Sequence, residues 1–314
     1  MACTVSPQEE LDIRSLRRIP GNKKFAERTL RVKSILTRVS GPNASDIVVL
    51  PPMTARVPWQ FRNVIFDPTA YGSILAQIQI FRGRIYLEDA AITPGELTPD
   101  GRHLLPIDKQ SWHVISIDRT GEITGCLRFL EESAAVRFDD LWLRGAAVAR
   151  GSGLGPEVRR AVEEEMARAR KERVRFGEVG GWAISEQRRY GSEALRIVLS
   201  TYGLLQLLGD CIGLATATVR HGSAEILRKI GLSSLYAGDT PVAPYYEPQY
   251  GCLMEMLRFD SRRANGRFMG WIDELRSHLT TAAVFAWGQP ATVFGMLNAA
   301  PAEPVPVLAR GAVA

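Results

Sequence analysis

VARGSGLGPEVRRAVEEEMARAR, residues 148–170, sets Gly151, Gly153 and Gly155 directly against a charged, strongly helical run. Glycine lets the backbone turn tightly, and Pro156 suits the first helical position, where its missing N–H leaves nothing unsatisfied. The junction predicts a helix from Pro156 to about Arg173 whose first amides point outward with partial positive charge. Such a terminus suits an anion, a phosphate above all. The stretch fails as a P-loop, because no Lys-Ser or Lys-Thr follows the glycines. It fails as a dinucleotide fingerprint, because the third glycine would fall on Pro156.

Outward from the junction the apolar pattern alternates in kind. LWLRGAAVA reads as a strand entering the loop and VRFGEVGGWAIS as the strand after the helix. EALRIVLSTYGLLQLLG is an apolar helix, CIGLATATVR a strand, SAEILRKIG a short helix ended by Gly231, and YGCLMEMLRF a last strand. Upstream, AYGSILAQIQIFRGRIYLED has helical spacing, and WHVISID with EITGCLRFL forms a hairpin across RTG. RFMGWIDELRSHLTTAAVFAW suggests one more helix. The division that follows is a basic N-terminal extension (1–65), a globular domain (66–262), a C-terminal helix (263–288) and a Pro/Ala-rich flexible tail (289–314).

Composition narrows the class. Hydrophobic residues make up 46% of the 314-residue chain and charged residues 23%, an ordinary globular balance with room for a substantial core. The net charge of +5 suits an anionic cofactor or an acidic carrier and gives no motive for nucleic acid. Between Arg14 and Arg38 nine Lys/Arg face one acidic residue, Glu27. That segment fits an acidic partner or a peripheral membrane contact, and equally a solvated basic helix packed on its own domain. Cys3, Cys126, Cys211 and Cys252 are widely spaced with no C-x-x-C, so no disulfide framework and no metal site is expected. Without an apolar leader or a run of about 18 apolar residues, a cytoplasmic location is expected.

Arg150, Gly153 and Gly155 form R-x-x-G-x-G ahead of a helix, and the loop resembles the pyrophosphate loop of the GNAT acyltransferase superfamily. The order of elements over roughly residues 70–260 is similar to that superfamily's layout. The resemblance implies an α/β (α+β) fold: a mixed, mostly antiparallel central sheet flanked by helices, with helical N- and C-terminal extensions. It also implies coenzyme A or a phosphopantetheine arm seated on Arg150, Gly151, Gly153, Leu154 and Gly155, with no metal. Arg82 and Tyr86, then Glu88, Asp108, Trp112 and GEITGCLRFL with Arg128, resemble the front half of acyl-homoserine lactone synthases, a layout shared by long-chain N-acyl amino acid synthases. Phe129-Leu130-Glu131-Glu132 departs from the L-L-P-T of the lactone synthases. The position of the acetyltransferases' proton-donating tyrosine is Leu227 here.

These features imply an acyltransferase that moves an acyl group from an acyl-CoA or acyl carrier protein thioester to a small amine or amino acid. An acetyl-CoA-dependent N-acetyltransferase and a non-catalytic acyl-thioester-binding protein are the alternatives. Gly180 and Gly181 interrupt a strand where a bulge would aim an amide at the thioester oxygen. Glu178, on the same face, is the candidate proton acceptor, with a half-exposed strand carboxylate as its bland reading. His221 is a candidate acid for the thiolate. Arg128 is placed to pair either with an acceptor carboxylate or with Glu88 or Asp108. The helix 194–208, with Met254 and Met256, is a candidate wall for an acyl chain. YAGDTPVAPYYEPQYG reads as a stiff loop rimming the acceptor site.

Overall fold

A computed structural model of the chain describes residues 23–39, 45–151, 154–189 and 191–288. Among the described residues the six longer helices, α1 (Lys23–Val39), α2 (Pro68–Glu88), α3 (Gly155–Glu172), α4 (Ser192–Leu207), α5 (Ser223–Ile230) and α6 (Met269–Leu279), pack on one sheet. Its main strands are β1 (Ser45–Leu50), β2 (Val64–Phe66), β3 (Ser111–Asp118), β4 (Ile123–Glu132), β5 (Arg175–Ile184), β6 (Cys211–Thr218), β7 (Tyr245–Glu247), β8 (Cys252–Asp260) and β9 (Ala283–Ala286). They run in the order β7-β8-β6-β5-β4-β3-β1-β9-β2, with the two-residue strand Ser233–Ser234 also on β8. Neighbours are antiparallel except β5–β6, β1–β9 and β9–β2. The sheet is mixed, mostly antiparallel and flanked by helices, as the sequence predicts.

Both faces of the sheet are covered, so β3 and β4 are buried along nearly their whole length instead of alternating. On one face, Val114, Leu127, Phe129 and Ile184 pack against α4, α5 and α6 through Ile197, Leu204, Leu227 and Leu275. On the other, α1 and α2 cover Ile115, Ile117 and Cys126, while α3 covers Phe176, Leu214, Met254 and Met256. α2 starts where Asp67 caps the amides of Thr69 and Ala70 with Pro68 at the first turn. α3 buries Val158, Ala161, Val162, Met166 and Ala169 and stops at Arg173 in the left-handed conformation. No described helix is long and apolar enough to cross a membrane.

β5 decides the shape of the centre. Cys126 faces Ala183 and Arg128 faces Gly180, so β5 spends one residue more than β4 over this interval. The extra residue is Gly181, at φ +65, where a side chain is disfavoured. The bulge puts Val179 and Trp182, three positions apart, on the same face. On its other side β5 pairs with β6 only from Arg175↔Cys211 to Val179↔Ala215. Beyond that point β6 pairs with β8 and β5 with β4, and the two parallel strands part into a cleft whose residues Val179–Trp182 are half-buried.

Several expectations need correction. LWLRGAAVA is not a strand: Trp142–Gly145 is a 3-10 turn and Ala147–Arg150 a helical turn. Its Trp142, Leu143 and Ala147 amides are taken by buried carboxylates, as set out below, and are withheld from a ladder. The boundaries at 65/66 and 262/263 cut through the sheet, since β1 lies between β3 and β9, and β9 between β1 and β2. β1 and β9 are short apolar runs that periodicity does not separate from helix. The glycine loop does not sit where parallel strands are joined, because α3 links the antiparallel β4 and β5; the parallel crossover that ends in the cleft is β5–α4–β6. α4 and the Met254/Met256 pair lie on opposite faces, so they cannot wall one acyl tunnel. Residues 1–22 of the basic extension and the tail 289–314 lie outside the described residues; α1 itself docks through Val32 and Leu36.

Candidate functional site

A buried ionic cluster occupies the face covered by α2 and α3. Arg82 on α2 and Asp108 in the turn Pro106–Gln110 are 1% and 0% exposed and pair through two bonds, Nη1–Oδ1 at 2.9 Å and Nη2–Oδ2 at 2.8 Å. Gln79 Nε2 (3.0 Å) and the Leu105 amide (3.2 Å) also donate to Oδ2, and the Arg82 Nη2 gives a further bond to the His103 carbonyl at 2.7 Å. Burial works to raise the Asp108 pKa, yet the Arg82 guanidinium holds it down at about 2. Burial keeps His103 and His113 neutral, each titrating at about 4. The His113 Nε2 sits 2.7 Å from the Asp108 carbonyl.

Arg128 on β4 is the unsatisfied member. Its Nη1 is 3.6 Å from Asp108 Oδ1, close enough for attraction but too far for a good hydrogen bond, and its Nε and Nη1 are buried without partners. Three of the four donors to Asp108 fall on Oδ2 and one, Arg82 Nη1, on Oδ1, the oxygen that Arg128 faces. Burial and then the Arg82 charge lower the Arg128 pKa. The bulge lies against this guanidinium: a Cβ at Gly180 would stand 3.3 Å from Nη2, and one at Gly181 3.3 Å from the arginine's own Cβ. Of the two partners expected for Arg128, the structure supplies Asp108 and not Glu88, which faces Arg84 at the surface.

Glu178 is buried rather than half-exposed. Its Oε1 and Oε2 accept the Trp142 and Leu143 amides, each at 2.7 Å. Burial raises its pKa, with the two amides and Arg128 pulling the other way. Glu247 on β7, also buried, accepts the Ala147 amide at 2.8 Å. Two carboxylates from different strands thus hold the 142–147 backbone, which roofs a cavity of about 710 Å³ between the start of α3 and the ends of β6, β7 and β8.

The proposed phosphate residues divide. Arg150, Gly151 and Gly155 line this cavity; Leu154 is 45% exposed and outside its lining; Gly153 lies outside the described residues. The Gly155 amide already bonds to the Gly151 carbonyl. Arg144 and Arg150 on the rim make no ion pair among the described residues, whereas Arg159 is engaged by Asp139 and Glu163 and lies over Phe138. His221 stands in the turn Arg220–Gly222 just past β6. The tyrosine loop does rim the cavity, through Tyr245 and Tyr250.

The start of α4 also stands at the cleft, and nothing in the sequence marks it as an anion site. Gly191 is the N-cap of α4, immediately after β5, with Arg188 and Arg189 before it. Arg189 pairs with Asp89, and Arg188 reaches Glu193 at 3.9 Å. Spacing gives Q-R-R-Y-G-S here, which would flag it only once β5 and β6 are known to be parallel. Among the described residues no group of His, Cys, Asp and Glu is arranged to hold a metal.

No family model matches the chain, and no curated protein does. Solved structures of similar fold include a CoA-dependent acyl-homoserine lactone synthase, BjaI, with SAM and isopentyl-CoA, at 12% identity and TM-score 0.48, covering 78% of this chain and 95% of that one. FeeM, an N-acyl amino acid synthase from uncultured soil microbes, matches at 12% identity and TM-score 0.38, covering 63% and 88%. A putative N-acetyltransferase from Lactobacillus plantarum matches at 10% identity and TM-score 0.37, covering 69% and 99%. Similarity at this level leaves the function to be argued from the chain's own residues.

Proposed function

We propose that the chain is an N-acyltransferase that takes an acyl group from a coenzyme A or carrier-protein thioester and delivers it to an amine carrying a carboxylate, in the manner of a long-chain N-acyl amino acid synthase. The observation that carries this is Arg128: a buried guanidinium with two unpartnered nitrogens, packed against the bulge of β5 where β5 and β6 part. A carboxylate of the acceptor would give this guanidinium an anionic hydrogen-bond partner. Arg128 fills the space that side chains at Gly180 and Gly181 would take, and β5 past Val179 no longer pairs with β6, which leaves its backbone for a thioester carbonyl to approach.

Glu178 lies on the same face and is the proton acceptor for the amine. Its oxygens accept the two amides and it shares a hydrogen bond with Glu132, and the burial that raises its pKa makes it a stronger base. Arg144 and Arg150 at the rim supply cationic groups for the phosphates of the donor. A cytoplasmic location, where both kinds of thioester are made, goes with this reading.

The test is mass spectrometry of lipid extracts from a heterologous bacterium expressing the intact chain, Arg150→Glu or Arg188→Glu. New long-chain N-acyl amino acids with the intact chain, lost in Arg150→Glu, are expected. Loss in Arg188→Glu alone moves the phosphate end to α4. No new species from any of the three, with purified protein acetylating amines from acetyl-CoA, replaces the long-chain reading by an N-acetyltransferase.

A further inference from the structure

We propose that Asp89 is a positioning residue that ties together the two lips of the β5–β6 cleft. It sets the width of the opening through which the thioester arm reaches the bulge, a role that rests on the acyl-transfer reading above.

Paired strands hold each other at ladder spacing, but β5 and β6 stop pairing at Val179↔Ala215. Being parallel, they run on to the same edge of the sheet, where they end at Ile184 and Thr218 without that ladder. An arginine follows each strand and is fixed to its end. Arg189 Nε donates to the Ile184 carbonyl at 3.3 Å, and the Arg220 carbonyl accepts the Thr218 hydroxyl at 2.8 Å.

Both arginines reach the same residue. The Asp89 carboxylate takes Arg189 side-on, Nη1–Oδ1 at 2.6 Å and Nη2–Oδ2 at 2.9 Å. The Asp89 carbonyl accepts Arg220 Nη2 at 2.8 Å, and the Ala90 carbonyl stands 3.4 Å from the same nitrogen. Asp89 thus holds the β5 lip by its side chain and the β6 lip by its backbone. Side-on pairing of a guanidinium with a carboxylate fixes angle as well as distance.

Helix α2 delivers Asp89 to this point. Arg82 on the same helix lies against the bulge, its Nη1 3.7 Å from where a Cβ on Gly181 would stand. Asp89 follows about two turns later on the same side, about 10 Å further along the axis. A carboxylate at a helix C-terminus opposes the helix dipole, so Asp89 does not serve α2; Arg189 accounts for it. The turn beyond is set with equal care. The Ala91 amide closes on the Tyr86 carbonyl at 2.8 Å, and Ala90 takes φ +51, a left-handed conformation usually left to glycine at a helix end. Such backbone persists where its surroundings fix it, and Arg220 spans the carbonyls on either side of that Cα.

The test uses Asp89→Asn, Arg189→Gln and the double variant. Nitroxide labels on Glu186→Cys and Val219→Cys, exposed positions on the two lips, report the width of the opening by electron–electron distance measurement. Thiol release from acetyl-, octanoyl- and palmitoyl-CoA, with the standard amino acids as acceptors, reports kcat and KM. The lip distance is expected to broaden in each single variant. kcat is expected to fall at least about 10-fold in each, with KM for the thioester within about twofold. The double variant should be no worse than either single one, because the two side chains act as a unit. An unchanged lip distance, a kcat within about twofold of the unmodified chain, or losses that add in the double variant overturn the assignment. So does a KM that rises in Arg189→Gln and falls in Asp89→Asn, which would make Arg189 a phosphate ligand that Asp89 merely occupies. An unmodified chain that releases no thiol from any donor refutes the acyl-transfer reading itself, and the positioning role with it, whatever the lip distance shows.

Discussion

Replacing Asp108 by Asn tests the electrostatic core of the site. Arg82 and Asp108 are fully buried and joined by two short bonds, and Arg128 draws on the same carboxylate. Asn keeps the shape, removes the negative charge and turns an NH₂ toward guanidinium donors. Breaking a buried pair by removing one partner costs about 3–5 kcal/mol, with no solvent screening to discount at this depth. A typical domain has about 5–15 kcal/mol in total, so the variant should lose a large share of its stability, or about 6–20 °C in Tm. Chemical denaturation followed by circular dichroism measures it.

The pH dependence provides an independent check on the same carboxyl. Asp108 titrates at about 2 in the fold against an ordinary 3.8, so its contribution is present above pH 3.8 and lost as pH falls through about 2. The two pKa values correspond to roughly 2–3 kcal/mol. His103 and His113, held neutral down to about 4 against an ordinary 6.5, act in an earlier window: their contribution is lost as pH falls from 6.5 to 4. Asp108→Asn should abolish the loss below pH 3.8 and widen the histidine window downward, because the Asp108 charge raises both histidine pKa values. A variant within about 1 kcal/mol of the parent at pH 7, with an unchanged acid limb, would refute the charge-pair account.

Glu178→Gln removes the proton acceptor and leaves one of the Trp142 and Leu143 amides facing an NH₂; kcat should fall about 100-fold and stability by about 1–3 kcal/mol, measured by thiol release and denaturation, and full activity would exclude Glu178 as the base. Arg128→Gln should raise KM for amino-acid acceptors at least about 10-fold while leaving KM for simple alkylamines unchanged, and an equal change for both would mean that Arg128 does not read a carboxylate.

The hairpin of β3 and β4, helices α2 to α6 and the strands β5, β6 and β8 were legible in the sequence because each has its own period or its own stop signal. The bulge was legible too, because Gly180 and Gly181 interrupt an otherwise apolar strand. β1 and β9 were not: each is a few apolar residues whose identity as strand comes from pairing with chain more than 60 residues away, Ser45–Leu50 with β3 and Ala283–Ala286 with β1 and β2. LWLRGAAVA failed for the opposite reason. Its composition suits a strand, but Glu178 and Glu247 claim its amides from 35 and 100 positions away, and no local pattern contains that information.

The same distinction explains the site. Arg82, Asp108 and Arg128 were visible as separate charged residues in apolar runs, yet which arginine owns the carboxylate depends on geometry. Arg82 enters from a helix one layer above the sheet and meets Asp108 edge-on, so both its terminal nitrogens bond. Arg128 rises from the sheet beneath the bulge and reaches only one oxygen, at 3.6 Å. One cation is thereby hydrogen-bonded within the fold, and the other is held by charge alone. Sequence alone offered Arg128 both roles; the structure gives it a 3.6 Å ion pair to Asp108 Oδ1, while Arg82, Gln79 and the Leu105 amide take Oδ2, and the acceptor role stays a proposal. An anion that binds here completes Arg128 without competing for Asp108, so acceptor binding should stabilise the fold in proportion to its affinity and leave the Arg82 pair intact.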